Sequence, residues 1–270
     1  MKEFKGNAIY NPSGKAGEYS YWACNFYIGC SNGCTYCFNK KGRSAKLLGG
    51  DSATLKKSFK DNNNALEIFE KELLQNLPEI KKSGLFFSFT TDPMITETMS
   101  LTLHSILICQ RYNVPVKILT KETRFINLLL YPSLDRSLVA VGFTLTGHDN
   151  LEPNASTNSD RIAAMDAMSQ EGFKTFASIE PIIDFKSSQE MIEQVSGFCD
   201  LIKVGLESGG KYNLKESYEF MSFLINLKKP KIYIKESLRK LVSYDDFDDE
   251  FFVERDYNLF TKNKGVSSDC

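Results

Sequence analysis

The chain has 270 residues, 42% of them hydrophobic and 25% charged, with a formal net charge of −1. These values are ordinary for a soluble globule and leave no apolar run long enough to cross a bilayer. The near-neutral balance also excludes a global basic field of the kind that drives non-specific nucleic-acid binding, although a local groove would suffice for a nucleic-acid substrate.

The first twenty residues, MKEFKGNAIYNPSGKAGEYS, hold no apolar core of the signal-peptide type, so a cytoplasmic location is expected. From there, apolar runs rich in β-branched and aromatic residues alternate with segments of helical spacing. Strands are predicted over 21–28, 85–90, 114–120, 138–145, 174–179, 201–206 and 231–234. Helices are predicted over 65–77, 98–112, 124–130, 159–171, 188–198 and 214–227. This alternation, with several near-continuous apolar strands, calls for a parallel sheet covered by helices. The expected fold class is α/β: a partial (β/α)6-type parallel barrel over 21–240, with an N-terminal extension 1–20 and a C-terminal extension 241–270. The extension begins with the acidic run SYDDFDDEFF; its Phe and Tyr residues are expected to dock on the body while the last residues fray.

Such sheets place their chemistry at the carboxyl ends of the strands. The candidates there are the 30–37 segment after the first strand, Thr90, Thr91 and Asp92 after the second, and Thr120 and Lys121 after the third. Thr144, Thr146, His148 and Asp149 follow the fourth strand, Glu180 the fifth and Glu207 with Ser208 the sixth.

Seven cysteines in a cytoplasmic-looking chain point to metal or redox chemistry instead of a disulfide framework. Cys109 and Cys199, in predicted helices, and Cys24, in a predicted strand, read as buried small hydrophobes, and Cys270 ends the chain. Cys30, Cys34 and Cys37 are different. Their spacers of three and two residues let one loop wrap an iron–sulfur core, with Gly29 and Gly33 giving the backbone freedom to do so. Three thiolates leave one iron of a 4Fe-4S cluster open, as metal-centred catalysis requires. A structural zinc site recruiting Cys24 as a fourth ligand is the alternative.

The CxxxCxxC pattern with an aromatic before its third cysteine resembles the signature of the radical S-adenosylmethionine (SAM) superfamily. Further stretches resemble its spore photoproduct lyase-like branch: 87–93 (FSFTTDP), 119–121 (LTK), 152–161, 178–181 (SIEP) and 203–208 (KVGLES). The resemblance implies that Cys30, Cys34 and Cys37 hold a 4Fe-4S cluster whose open iron chelates S-adenosyl-L-methionine. It further implies that Thr91 contacts SAM, that Lys121 pairs with its carboxylate and that Thr144 meets the methionine moiety. Tyr36, Phe38 and Asn39 would flank the adenine. An oxygen-sensitive enzyme served by a reductant such as flavodoxin or ferredoxin is implied, with DNA, RNA or a nucleoside as substrate. Taken alone, Lys121 reads equally as a surface lysine at a helix start. One departure stands out: Phe89 occupies the place of the lyase's hydrogen-donating cysteine.

Glu180 and Glu207 end neighbouring strands, and Lys203, Gly205 and Glu207 share one strand face, predicted to point inward. Glu180, Lys203 and Glu207 are thus candidates for SAM-ribose, substrate or proton-transfer roles; an ion pair of Lys203 with Glu207 or Glu180 is the structural alternative. His148 and Asp149 read as acid–base candidates or as simple surface residues of a loop, and His104 as structural. The cations Lys40, Lys41, Arg43 and Lys46, then Lys56, Lys57 and Lys60, read as a solvated surface or a nucleic-acid groove. Two further readings stay open: radical SAM chemistry on a peptide or small metabolite, and a zinc-stabilised nucleic-acid-binding protein.

Overall fold

A computed structural model describes residues 3–42, 45–124, 133–243, 251–255 and 257–260. The chain opens with β1 (Ile9–Tyr10), the single turn α1 (Gly14–Gly17), β2 (Ala23–Cys24) and β3 (Tyr27–Ile28). After α2 (Ala45–Leu48) and β4 (Thr54–Leu55), helices α3 (Asn62–Gln75) and α4 (Leu77–Ser83) lead into β5 (Leu85–Phe87) and α5 (Thr96–Arg111). Next come β6 (Val116–Thr120), β7 (Val139–Thr144), α6 (Asn158–Gln170), β8 (Lys174–Ile182) and α7 (Phe185–Val195). The series finishes with β9 (Leu201–Leu206), α8 (Leu214–Asn226), β10 (Lys231–Ile234) and α9 (Glu236–Val242).

One eight-stranded sheet carries the fold, in the order β1-β2-β5-β6-β7-β8-β9-β10. All its pairings are parallel except β1 with β2. The sheet is therefore the expected partial parallel barrel, with β1 and β10 as its edges. Residues 251–255 lie at that opening: Val253 N donates to Ile232 O at 2.9 Å alongside β10, and Arg255 Nε donates to Gly17 O at 2.9 Å.

The strand predicted over 21–28 is two strands. Asn25 breaks it: its Oδ1 accepts from Phe89 N at 2.8 Å, and the chain then leaves the large sheet so that β3 pairs antiparallel with β4. Pro78 similarly starts α4 as a separate helix, because proline suits a first turn and not a helix interior. The helix predicted over 124–130 lies, after Arg124, outside the described residues. Where N-cap residues occur, the helices begin on them: Asp61, Thr157, Asp184 and Asn213 each accept a backbone N–H of the first turn.

Two cores result. The larger lies between sheet and helices and includes Cys24, Cys109 and Cys199, all buried. The smaller fills the barrel interior with Tyr19, Ala23, Phe86, Ala140, Phe176, Leu201, Tyr233 and Leu259. Gly142 makes this packing possible, since a Cβ there would fall 2.2 Å from the Phe176 ring. The interior is plugged at this level, and a cavity opens toward the carboxyl ends of the strands. Among the described residues no helix is long and apolar enough to cross a membrane.

Candidate active site

A cavity of about 490 Å³ opens at the carboxyl ends of the strands. Cys30, Cys34, Cys37, Tyr36, Phe38 and Asn39 form one wall of it. Thr91, Lys121, Thr144, Glu180 and Glu207 line it from strand ends that are far apart in sequence. Of the residues expected to bind the cluster, SAM or substrate, Lys203 alone lies off this lining.

The cysteine loop is shaped by two glycines and clamped by its neighbours. Gly29 and Gly33 have φ of +77° and +71°, and a Cβ on Gly29 would lie 2.3 Å from the Ser52 carbonyl oxygen. The loop after β7 grips the segment directly: Thr35 N donates to Leu151 O at 3.0 Å and Asn154 Nδ2 donates to Ser31 O at 2.9 Å. Tyr36 donates its hydroxyl to Glu152 Oε1, and Glu152 Oε2 in turn takes Arg161 Nη2 at 2.6 Å. Arg161 is fully buried, with Nε on Ser156 O at 2.8 Å and Nη1 on Thr144 O at 2.7 Å. A buried guanidinium is tolerated because its donors are paired with a carboxylate and carbonyls.

Asp92 makes the second link. Its Oδ2 accepts from Asn32 Nδ2 at 3.0 Å and from Lys121 N at 2.7 Å, while Oδ1 accepts from Thr120 Oγ1 at 2.6 Å. One carboxylate thus ties the cysteine loop to the end of β6 and fixes where Lys121 emerges. The Lys121 ammonium lies 5.6 Å from the centre of the Tyr36 ring.

Burial pushes the Cys30 thiol up to about 11 and raises Cys34, with the Lys121 charge opposing the rise at Cys34. Burial also works against the charge on Lys121, but Cys34 and Glu152 outweigh it and hold the lysine above its ordinary value. Metal ligation would deprotonate both thiols.

Two observations test the fit of a cluster and a polar ligand here. Thr91 Oγ1 and Asn39 Oδ1 are buried without a hydrogen-bond partner among the described residues, although buried polar atoms are normally paired. Both residues line the cavity, so a polar ligand there would satisfy them. Secondly, among the described residues no three His, Cys, Asp or Glu side chains converge on a single-ion position. The three cysteines therefore share the lining of one cavity without being gathered around a single ion. Cys24, the fourth ligand of the zinc alternative, is wholly buried in the outer core.

The carboxylates pair differently from the ion pairs considered above. Glu180 Oε2 meets Lys235 Nζ at 2.6 Å and Glu207 Oε1 meets Lys41 Nζ at 2.6 Å. Lys203 instead donates to Glu18 O at 3.0 Å, its Nζ 5.0 Å from the centres of both the Tyr19 and Tyr233 rings. Burial first, then the Lys117 and Lys235 charges, hold Lys203 well below its ordinary value. Gly205 makes room for the Glu180–Lys235 pair: a Cβ there would lie 2.8 Å from Lys235 Cδ and 3.2 Å from Glu180 Cδ.

Lys235 and Tyr19 were not singled out in the sequence. Lys235 falls one residue past a predicted strand, and Tyr19 belongs to the segment read as an extension. Only the inward face shared with Tyr233 marks Lys235, by strand alternation. His148 and Asp149 do not line the cavity. His148 Nε2 lies 2.6 Å from Asp184 Oδ2, and Asp149 Oδ1 accepts from Asn158 N at 2.7 Å.

No protein-family model matches the sequence, and no curated protein matches it. The fold does match solved structures. A spore photoproduct lyase carrying a single cysteine-to-serine substitution superposes with a TM-score of 0.61 at 16% identity, covering 87% of this chain and 79% of that one. A doubly substituted form of the lyase, with bound AdoMet and dinucleoside spore photoproduct, gives 0.55 at 15% identity, covering 78% and 62%. Streptococcus suis SuiB bound to precursor peptide SuiA gives 0.56 at 12% identity, covering 82% of this chain and 50% of that one. The chain thus spans about half the length of SuiB and less than two thirds of the AdoMet-bound lyase. Identities this low carry the fold alone: the chain shares the fold of the matched parts of spore photoproduct lyase and SuiB.

Proposed function

We propose that the protein is a radical SAM enzyme in which Cys30, Cys34 and Cys37 hold a 4Fe-4S cluster. The observation that carries this reading is the shared cavity. Three thiols lie on its wall beside Lys121 and two orphaned polar atoms, at the end of a parallel barrel where chemistry is expected. When bound, the cluster and SAM supply a 5′-deoxyadenosyl radical able to take a hydrogen atom from a substrate.

The chain's own contribution is binding and orientation. Lys121 offers an ammonium to the SAM carboxylate, and Thr91 offers a hydroxyl that lacks a protein partner among the described residues. Thr144 adds a polar contact from the end of β7. Tyr36, Phe38 and Asn39 border the adenine side, Tyr36 fixed by Glu152 and Asn39 by its Nδ2 donation to Phe89 O at 3.0 Å. The electron comes from a reductant such as flavodoxin or ferredoxin.

The substrate we assign is DNA, RNA or a nucleoside, supported by the likeness to a lyase solved with a dinucleoside. Phe89 cannot give up a hydrogen atom as a cysteine does, so the outcome differs from that of the lyase. SuiB, solved with a precursor peptide, supports a second reading in which the substrate is a peptide. Anaerobic purification with iron and sulfide quantification, then dithionite-driven SAM cleavage with oligonucleotides or peptides added, tests both. Four irons per chain and 5′-deoxyadenosine formation stimulated by oligonucleotides are expected. Zinc in place of iron, with no SAM cleavage, ends the proposal.

A further inference from the structure

The cavity has a second polar centre, across from the cysteine loop, that the assignments above leave unused. Tyr19 stands at its middle. The Tyr19 hydroxyl lies 2.6 Å from both Ser178 Oγ and Glu180 Oε2, and its ring meets the Phe89 ring edge-on at 6.0 Å. Lys235 Nζ also donates to Glu180 Oε2, at 2.6 Å, and to Lys15 O at 3.0 Å. Both hydrogen bonds to the Glu180 carboxylate therefore go to one oxygen. Among the described residues Oε1 has no donor, in a residue whose side chain is 15% exposed and lines the cavity.

That oxygen is open to the cavity and not buried, so it is free to accept an N–H or O–H from a ligand. Phe89 supplies the apolar counterpart. It is half-buried, lines the same cavity and is stacked on Phe86 at 4.5 Å with an interplanar angle of 16°. Phe86 and Tyr19 hold the ring in place, so it costs little entropy to use as a platform. A flat ring with an N–H edge would satisfy both groups at once.

Charge separates the candidate ligands. Four lysines line the cavity against three carboxylates, which disfavours a cationic side chain. Lys15 is exposed at the rim with its Nζ on the Leu206 carbonyl at 3.0 Å, so its charge is left for an anion. Burial and Glu180 together hold the Tyr19 phenol well above its ordinary value, which keeps it a donor to Glu180 and leaves Oε1 as the acceptor.

We propose that Phe89 and Glu180, bridged by Tyr19, form the substrate subsite, and that it takes a nucleotide by stacking its base on Phe89 and accepting a base N–H at Glu180 Oε1. Lys15 meets the phosphate. This inference rests on the radical SAM reading and adds to it the residues that select the substrate. It also gives Phe89 a positive role where the resemblance shows only a missing cysteine.

The test is binding to the anaerobically reconstituted full chain, by calorimetry, of the four 2′-deoxynucleoside 5′-monophosphates. For whichever binds most tightly, the analogue methylated on its base N–H is compared. At least one nucleotide is expected to bind, and its methylated analogue to bind about ten-fold weaker or worse. Phe89→Leu keeps apolar volume without a flat face and should weaken both by roughly five- to hundred-fold. In Glu180→Gln the amide oxygen must take the place facing Tyr19 and Lys235, so an NH₂ replaces the free acceptor. The parent and methylated nucleotides should then bind nearly alike. The methylation comparison needs no variant, so it decides the matter even if a substitution unfolds the chain.

Absence of binding by all four nucleotides, or indifference to methylation in the unsubstituted protein, overturns the subsite. So does binding of acetyl-lysinamide or acetyl-argininamide in their place, which makes the occupant a basic peptide. Iron content and SAM cleavage measured on the same sample keep the two readings apart. Loss of nucleotide binding with both intact sinks the subsite alone, and loss of both sinks the radical reading beneath it.

Discussion

Arg161 and Glu152 form an ion pair at 2.6 Å in which neither side chain has any solvent exposure. Glu152 gives its other oxygen to Tyr36, so this pair on the loop and helix after β7 sets the orientation of the residue just before Cys37. Removing one partner strands a buried charge.

Arg161→Met should therefore cost about 3–5 kcal/mol of stability. Glu152→Gln should cost a similar amount, because it leaves the buried guanidinium without its counter-charge and its one amide oxygen cannot accept from both Tyr36 and Arg161. Thermal unfolding measures the first effect. Iron content after anaerobic reconstitution measures whether the cysteine loop keeps its shape, and it should fall in both variants.

Thr91→Val should move stability and ligand binding in opposite directions. The hydroxyl it removes is buried and unpartnered among the described residues, so its replacement by a methyl group is neutral or slightly stabilising for the unliganded protein. SAM affinity should fall by about ten-fold, the worth of one hydrogen bond. Melting temperature and equilibrium dialysis with SAM check the two signs separately.

Much of this arrangement was legible in the sequence. Apolar runs located the parallel strands from β5 to β10, because strands buried on both faces leave a continuous signal. The rule that loops at carboxyl strand ends carry the chemistry picked out residues that the fold brings to the lining of one cavity. What sequence reading missed has physical causes. Two-residue strands such as β1 and β4 have no period to detect. Asn25 interrupts the first predicted strand through a contact with Phe89, sixty-four residues away in sequence. Glu180 pairs with Lys235 because Gly205 clears the path between them. The sequence holds the glycine but not the identity of the neighbours it admits.

Gly142→Ala tests the plugged interior directly. A Cβ placed 2.2 Å from the Phe176 ring must displace it, at a cost of roughly 1–3 kcal/mol. Adding Phe176→Leu should recover part of that loss, giving a favourable coupling energy in a double-mutant cycle. Urea unfolding of the two single variants and the double variant reads it out.

Glu122 makes stability depend on pH. Burial, then the Asp92 charge, raises its carboxyl from an ordinary 4.5 to about 7. A raised carboxylate value means that the folded state binds more protons than the unfolded one between those limits. Its contribution is fully present below about pH 4.5 and is lost as pH rises through about 7. Glu122→Gln should remove this fall, so unfolding free energies between about pH 5 and about pH 8 should decline less steeply than in the unsubstituted chain.

In the proposed reading Cys34 is one of three ligands of a cluster that leaves an iron free for SAM, and the radical chemistry depends on it. Dithionite-driven formation of 5′-deoxyadenosine by anaerobically reconstituted protein, compared with Cys34→Ala, tests that dependence most directly. Formation by the unsubstituted chain and none by the variant is predicted, although the variant should remain folded. Undiminished 5′-deoxyadenosine from Cys34→Ala would contradict it.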